Sequence, residues 1–426
     1  MKETSPTEIP QERALLVGIE CLMEKSLFSD TKELLLELEE LVSNLDIVVQ
    51  DKIIAKIQKP HANLFLGSGK AEEIIELAKE LNCSMIIFDN KLSPVQQRNW
   101  EKLSGLTVID RHEVILEIFA QRAQTKEAVL QVELAQMEYA LPRLKRAWTH
   151  LSRQRGGGAA QRDVGEKQIE LDKRMIRDRI SQLKKDLRDV IQHRQTQRKK
   201  RMRIPFPSAA IVGYTNAGKS SLLNLLTQSK ILAEDKLFAT LDPTTRRLQL
   251  PSGQILLLTD TVGFIRNLPH GLVDAFKATL EEALVADFLM IVVDASNPSF
   301  EQHLKTTHKV LEELHAKDKP MLIVFNKIDL LEDDLSLKTI KATYPKACFM
   351  SVKTTEGVEQ LLSMMEIQLE KQIRVMKLLI PHNRYDIIHE LHQMGGIKKE
   401  EPLDEGVFVI GNIPEKLVSL VKEFEI

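Results

Sequence analysis

The sequence predicts a multidomain α/β protein, and three observations carry this prediction. Short apolar runs alternate with amphipathic segments over the first part of the chain, which is the pattern of a small parallel sheet with flanking helices. A Gly-rich loop at 213–220 follows an apolar run and leads into a helix, which indicates a phosphate-binding domain. Long charged segments between these regions indicate a helical hairpin. We therefore predict an N-terminal parallel α/β domain at 1–120, a basic helical hairpin at 121–203, a P-loop domain at 204–373 and a small α/β domain at 374–426.

Composition excludes several classes of protein. Hydrophobic residues make up 43% of the chain and charged residues 28%, which is ordinary for a globular protein. No apolar run approaches the roughly 18 residues of a spanning helix, and the N-terminus lacks the apolar segment of a signal peptide. The three cysteines are too few and too scattered for a disulfide framework or a zinc site. We expect a cytoplasmic protein without membrane insertion.

The net charge of −2 hides a strong asymmetry along the chain. Residues 121–203 hold 22 Lys and Arg against 10 Asp and Glu, a net charge of +12, so the remainder carries −14. A basic segment of this size predicts an anionic partner.

In the N-terminal domain, apolar runs predict strands and helical spacing predicts two helices. The turn Gly67-Ser68-Gly69-Lys70 before the second helix could bind phosphate, but it lacks the spacing of a complete loop, and a plain helix-capping turn is the favoured alternative. The expected strands are 14–19, 45–49, 84–88 and 106–109, and the expected helices are 31–43 and 71–81.

The hairpin is predicted from two helices and the basic segment between them. The first helix should end or kink at Pro142, and the second should begin at about Glu166. Between them, the Gly-rich stretch 153–162 could enter an RNA crevice, or it could be a solvated linker. A seam typical of a coiled coil is formed by Ile169, Ile176, Ile180, Leu183, Leu187 and Val190.

The P-loop domain opens with a strand, a turn and a helix. In the pattern GxxxxGKS, backbone amides bind phosphate, the lysine reaches the β- and γ-phosphates, and the serine hydroxyl binds Mg²⁺. A Gly-rich surface turn is the alternative. We expect the nucleotide to contact Gly213, Tyr214, Thr215, Asn216, Ala217, Gly218, Lys219, Ser220 and Ser221.

A second motif, DTVG, ends the apolar run at 255–259. Asp260 would hold Mg²⁺ through water, and the backbone amide of Gly263 would sense the γ-phosphate. Many enzymes with this motif place a water-orienting Gln directly after it, but here the residue is Phe264, so intrinsic hydrolysis should be slow without a further group. Asn216 could coordinate K⁺ beside the phosphates, or it could be a turn residue.

A third motif, NKID, follows the apolar run at 321–325 and predicts selection of guanine. The carboxylate of Asp329 can accept hydrogen bonds from the ring N–H and the amino group of guanine, whereas adenine presents a mismatched edge. Asn326 and Lys327 complete this motif. Ser351, Val352 and Lys353 follow another apolar run and are expected to support the base from behind.

The segment 237–246 is the predicted first switch. Phe238 is expected to contact the nucleotide, and Thr240 is our choice for the hydroxyl that binds Mg²⁺ together with Ser220 and Asp260. Thr244 and Thr245 stay open as competitors, since the spacing does not exclude them. Lys219, Gly263 and Thr240 are the residues expected to act in catalysis.

The C-terminal domain gives no prediction of its task. Strands are expected at 375–380 and 407–410, and helices at 386–394 and 415–424. Three histidines in this region are spaced too loosely to favour a metal site over packing or surface roles: His382, His389 and His392.

Six longer motifs give the sequence a specific resemblance to one protein family. The stretches LSPVQQRNW, VIDR, QVELAQ, GYTNAGKSSLLN, FATLDPTTR and DTVGFIRNLP together resemble the HflX family of translational GTPases, within the Obg-HflX superfamily, over nearly the whole chain. This resemblance implies the same four-domain order, GTP hydrolysis to GDP and phosphate with Mg²⁺, and binding to the large ribosomal subunit through ribosomal RNA near the peptidyl-transferase region. It further implies splitting or recycling of ribosomes under stress, by a monomer.

The chain departs from the family's pattern at two places. Residues 162–166 read RDVGE where the family usually has RGPGE, and Asn267 stands where an Asp is usual. Two other classes of function stay open on the sequence: a regulatory GTPase that switches a protein effector, and an NTP-driven enzyme that remodels ribosomal RNA.

Overall fold

A computed structural model describes residues 11–22, 31–144, 160–201, 206–228, 237–238, 240–266, 284–331, 334–370, 373–393, 397–414, 418 and 421–426. The chain divides into two compact units, with the boundary between Asp189 and Val190. The alternation of strands and helices confirms the predicted α/β class. No helix in these ranges has both the length and the apolar character needed to cross a membrane.

The first unit is built on a four-stranded sheet in which all neighbouring strands are parallel, in the order β2-β1-β3-β4. Its core includes Trp100, which is fully buried and donates its indole N–H to the carbonyl of Leu64 at 2.7 Å. The strands are β1 Arg13–Cys21, β2 Val48–Ile57, β3 Met85–Phe88 and β4 Thr107–Asp110, and the helices packed with them are α1 Thr31–Ser43, α2 Ser68–Glu80, α3 Pro94–Ser104 and α4 Arg111–Arg122.

Two of these elements differ from the prediction. β2 was expected at 45–49 but begins at Val48 and extends to Ile57, because it is an edge strand whose exposed charged residues break the apolar run. The helix α3 was not predicted, although Ser93 caps it and exchanges both hydrogen bonds of a capping box with Gln96. In the GSGK turn, Ser68 begins α2 and the exposed Lys70 pairs with Glu73 at 2.6 Å.

Two further helices, α5 Lys126–Ala140 and α6 Ala160–Arg201, form the basic middle region. A 3₁₀ turn follows α5 at Leu141–Arg143, where proline was expected to end the helix. Ile180 and Leu183 of the predicted seam are buried. Ion pairs join the helices, from Arg179 to Glu133 at 2.7 Å and from Lys184 to Glu138 at 2.8 Å.

The prediction for the start of α6 was wrong. The helix begins at Ala160 rather than near Glu166, so the 162–166 segment is helical and not part of a loop. Ala, Gln and Arg at positions 160–162 are strong helix formers, Asp163 suits a helix N-terminus, and the single Gly165 costs only about 1 kcal/mol. The remainder of the predicted tip, with Arg153 and Arg155, lies outside the described residues.

The second unit contains a six-stranded sheet in the order β10-β9-β8-β5-β7-β6, in which only β6 is antiparallel to its neighbour. Parallel pairing places the carboxyl ends of β5, β7, β8 and β9 at one edge. The strands are β5 Ser208–Gly213, β6 Thr244–Gln249, β7 Ile255–Asp260, β8 Phe288–Asp294, β9 Met321–Asn326 and β10 Cys348–Phe349, and the helices are α7 Lys219–Thr227, α8 Phe300–Glu313, α9 Asp334–Thr343 and α10 Val358–Glu370.

A three-stranded antiparallel sheet in the order β11-β13-β12 ends the chain. The strands are β11 Ile373–Ile380, β12 Ile397–Leu403 and β13 Gly406–Pro414, and the helix α11 is Tyr385–Gln393. Two strands and α11 agree with the prediction, whereas β12 was missed because most of its residues are exposed and charged. The helix expected at 415–424 lies largely outside the described residues, which hold a 3₁₀ turn at Lys422–Phe424.

Candidate nucleotide site

The loop between β5 and α7 lies at the carboxyl edge of the six-stranded sheet. Gly213 ends β5 with φ +147°, and a Cβ there would lie 2.2 Å from the carbonyl oxygen of Val292 in β8, so no larger residue fits. Gly218 precedes α7 with φ +91°. Asn216 has φ +58°, which agrees with a turn residue and leaves its half-exposed side chain at the loop surface.

Lys219 is the buried cation of this loop. Its side chain is 6% exposed, and Nζ donates a hydrogen bond to the carbonyl oxygen of Tyr214 at 2.7 Å. Burial lowers the pKa of Lys219 to about 8, and the nearby carboxylate of Asp260 partly opposes this shift. A phosphate group would give this ammonium the anionic partner that the loop alone does not provide. Ser221 follows in the first turn of α7 and is partly buried.

Three oxygen-bearing side chains converge beside Lys219. Ser220 Oγ lies 2.6 Å from both Thr240 Oγ1 and Asp260 Oδ2, and Thr240 Oγ1 donates to the same carboxylate oxygen at 2.9 Å. Burial raises the pKa of Asp260, against the lowering effects of Lys219 and of the two hydroxyl donors. The other carboxylate oxygen, Asp260 Oδ1, is buried and has no hydrogen-bond partner within the described part of the chain.

This donor set fits Mg²⁺. The ion prefers oxygen ligands and is commonly bound in nucleotide sites by one carboxylate and a hydroxyl together with phosphate and water. The unpartnered oxygen of Asp260 marks the place where a cation or its water would satisfy a buried polar atom.

The structure separates the three candidate threonines of the first switch. Thr240 is the one that reaches Ser220 and Asp260. Thr244 and Thr245 lie in β6, where Thr245 Oγ1 is 2.9 Å from Thr259 Oγ1 of the neighbouring strand. Phe238 is buried at 2% exposure with φ +57°, so its ring packs into the protein interior.

The residue that follows the DTVG motif, Phe264, pairs directly with the phosphate loop. The amide of Thr215 donates to the carbonyl of Phe264 at 2.8 Å, and the amide of Phe264 donates to the carbonyl of Gly213 at 2.9 Å. The ring of Phe264 is 2% exposed. A Cβ on Gly263 would lie 2.8 Å from both Lys219 Nζ and the Cα of Thr215, so glycine allows the switch to approach the loop.

Asn326 connects the phosphate loop to the predicted base-binding segments. It is 2% exposed, its Nδ2 donates to the carbonyl of Ala217 at 2.9 Å, and its Oδ1 accepts from the amide of Val352 at 3.0 Å. Ser351 is buried and its hydroxyl accepts from the amide of Thr354 at 3.1 Å. One side chain therefore fixes the spacing between the loop that faces phosphate and the loop expected behind the base.

The remaining base-binding candidates are more exposed. Lys327 has φ +63°, and its Nζ pairs with Asp294 Oδ2 at 2.8 Å. Asp329 lies in a 3₁₀ turn at Ile328–Leu330 with its side chain exposed, as a residue that contacts an incoming base must be. Lys353 is also exposed.

Sequence reasoning missed two sets of supporting contacts. Asp294 ends β8 and holds Lys327, and it could have been noticed as a polar residue at the end of an apolar strand. Tyr214 stacks on His303 of α8 with ring centroids 3.7 Å apart, and its hydroxyl accepts from the amide of Arg266 at 2.9 Å. No local pattern signals that contact. Asn267 lies outside the described residues.

Comparison with known proteins identifies relatives along nearly the whole chain. Family models match at residues 32–120 (GTP-binding GTPase N-terminal), 122–201 (GTP-binding GTPase Middle Region) and 208–327 (50S ribosome-binding GTPase). The GTPase HflX of Akkermansia muciniphila is 49% identical over 424 residues, which cover 97% of each chain. The GTPase HflX of Escherichia coli is 41% identical over 396 residues, covering 93% of this chain and 92% of the relative.

Among solved structures, a GTP-binding protein from Sulfolobus solfataricus in complex with GDP is 27% identical and covers 84% of this chain and 98% of its own, with a TM-score of 0.43. These two matches cover 97% and 93% of this chain, and therefore reach into both of its units. The chain therefore belongs to the HflX family of GTPases.

Proposed function

We propose that this GTPase binds the large ribosomal subunit and uses its GTP cycle to split or recycle ribosomes under stress. The observation that carries the proposal is the match of residues 208–327 to the family model described as a 50S ribosome-binding GTPase. The net charge of +12 in residues 121–203 supports a partner rich in phosphate. The site of action would be the cytoplasm, where ribosomes are found, and the active species a monomer.

In the proposed nucleotide cycle, Lys219 binds the β- and γ-phosphates, and the loop amides surround the β-phosphate. Ser220, Thr240 and Asp260 would hold Mg²⁺, which supplies positive charge to the phosphate oxygens. Asp329 selects guanine through its exposed carboxylate. Contacts from Asn326, Lys327, Ser351, Val352 and Lys353 complete the base site.

The residues that contact the γ-phosphate explain how the protein would switch between its GTP-bound and GDP-bound states. Thr240 and the amide of Gly263 report its presence, since both lie on segments that pack against the phosphate loop. Loss of the γ-phosphate removes these contacts and relaxes the two switches. This relaxation would permit release from the ribosome after hydrolysis.

The basic hairpin is the proposed RNA contact. Arginine pairs with phosphate and stacks on bases, and the predicted tip carries Arg153 and Arg155, with Arg162 close by in α6. Replacing these three arginines by alanine should weaken ribosome binding and reduce its dependence on salt. Unchanged affinity and salt dependence would refute the RNA contact.

Ribosome splitting is tested by light scattering of intact ribosomes mixed with the protein. We expect scattering to fall with GTP, to fall less with GDP, and to stay constant with the Thr240→Ala variant and GTP. Thr339→Ala is the matched control, since Thr339 is exposed in α9 and its hydroxyl donates to the carbonyl of Leu335 in the same helix at 2.8 Å. Binding of the large subunit without any loss of intact ribosomes would contradict splitting.

A further inference from the structure

The hydroxyl of Thr215, in the phosphate loop, is buried without a partner. Thr215 is 6% exposed, and its Oγ1 has no hydrogen-bond partner among the residues that the structure describes. Native proteins rarely leave a buried hydroxyl in this state unless a ligand or an ordered water completes it. The hydroxyl therefore marks a place where a polar group is expected when the site is filled.

Neighbouring groups indicate which part of the nucleotide lies there. The Cα and Cγ2 atoms of Thr215 each lie 2.8 Å from the position of a Cβ built on Gly263, and Lys219 Nζ lies 2.8 Å from the same point. Lys219 and Gly263 are both assigned above to the terminal phosphate. Thr215 consequently lies beside the γ-phosphate end of the loop rather than the base end.

The group that usually orients the attacking water is missing from this site. The side chain of Phe264 is apolar and 2% exposed. Its backbone is also occupied, because its amide donates to the carbonyl of Gly213 and its carbonyl accepts from the amide of Thr215. Neither the side chain nor the backbone amide of Phe264 is free to hold water.

We propose that the Thr215 hydroxyl orients the water that attacks the γ-phosphate, which makes Thr215 a catalytic residue. A hydroxyl can donate and accept at once, so Thr215 donates to a γ-phosphate oxygen and accepts a hydrogen bond from the water. The water oxygen forms a bond to the γ-phosphorus, and the bond from that phosphorus to the bridging oxygen breaks with its electron pair left on GDP. The proton lost by the water passes to a phosphate oxygen, and Thr215 ends the cycle unchanged.

This inference rests on the nucleotide contacts in the proposed function, and a matched pair of variants tests it. Thr215→Val keeps the shape of the side chain but removes the hydroxyl, whereas Thr215→Ser keeps the hydroxyl. We expect Thr215→Val to slow single-turnover GTP hydrolysis about a hundredfold, with the Kd for GDP within threefold of the unaltered protein. Thr215→Ser should retain most of the rate.

Two results would overturn the inference. One is hydrolysis by Thr215→Val at the unaltered rate. The other is a parallel loss of GDP affinity and melting temperature, which would indicate a structural role; removal of an unpaired buried hydroxyl should leave the melting temperature unchanged or higher.

The assay also separates this inference from the proposed function. Single-turnover hydrolysis is measured without ribosomes, so a protein that fails to respond to ribosomes but slows with Thr215→Val would refute only the ribosomal role. A protein that responds to ribosomes but is unaffected by Thr215→Val would refute only the role of Thr215.

Discussion

Replacing Asn326 by alanine tests whether one side chain holds the nucleotide site together. The change removes the donor to the carbonyl of Ala217 and the acceptor for the amide of Val352. Each buried group left unpaired costs about 1–3 kcal/mol. Ala217 is 1% exposed, whereas Val352 is partly exposed, so the two losses together should reach about 2–4 kcal/mol.

This cost should appear in nucleotide affinity, because the nucleotide needs both loops in the arrangement that Asn326 fixes. At about 1.4 kcal/mol per tenfold change, the Kd for GDP should rise about 30- to 700-fold. Fluorescence titration with labelled GDP measures it. Asn297→Ala is the matched control, since Asn297 accepts one local hydrogen bond from the amide of Ser299 at 2.9 Å, and its Kd should stay within threefold. Asn326→Ala with unaltered GDP affinity would refute this reasoning.

Four further results are expected. Asp329→Asn should weaken GTP binding at least about a hundredfold and favour xanthosine triphosphate, and unaltered GTP affinity in competition titrations would mean that the base site is misplaced. The pKa of Lys219 is about 8 before phosphates bind, so nucleotide binding above that pH must take up a proton. GDP affinity should therefore be constant below pH 7.5 and fall about tenfold per pH unit above 8. Calorimetry at several pH values would contradict this expectation if the affinity stayed constant up to pH 9. Gly263→Ala adds a Cβ against Lys219 and Thr215, and it should slow GTP hydrolysis at least tenfold in a phosphate-release assay while GDP binding changes little. An equal loss of hydrolysis rate and GDP affinity would argue against a γ-phosphate contact. Exchange of K⁺ for Na⁺ should slow hydrolysis if Asn216 coordinates the ion, and equal rates in the two salts would exclude that role.

The parts of the site that the sequence predicts are those with local causes. The loop from Gly213 to Ser220 needs its glycines at fixed positions, and a strand before it and a helix after it leave clear apolar patterns. The motifs that begin at Asp260 and Asn326 likewise end buried strands, and parallel strands bring their carboxyl ends to one edge without any further signal.

Other parts depend on contacts between distant residues, which no local pattern reports. Asn326 bonds to Ala217 across 109 residues, and Tyr214 meets His303 from a separate helix. The strands β2, β6 and β12 were misplaced or missed for a related reason: edge strands expose many of their side chains, so polar residues interrupt the apolar run. Thr240 was preferred over Thr244 and Thr245 on the sequence, but all three fit the spacing, and the contacts of Thr240 with Asp260 and of Thr245 with Thr259 are seen only in the structure.

The most direct test of the central claim is GTP hydrolysis by the pure protein with and without large ribosomal subunits, in a K⁺ buffer at moderate salt. The proposed function predicts a large increase in the steady-state rate with large subunits, and that increase should shrink as salt rises. Normal GTP binding with no increase at any concentration of large subunits would contradict the claim that the ribosome is the partner of this GTPase.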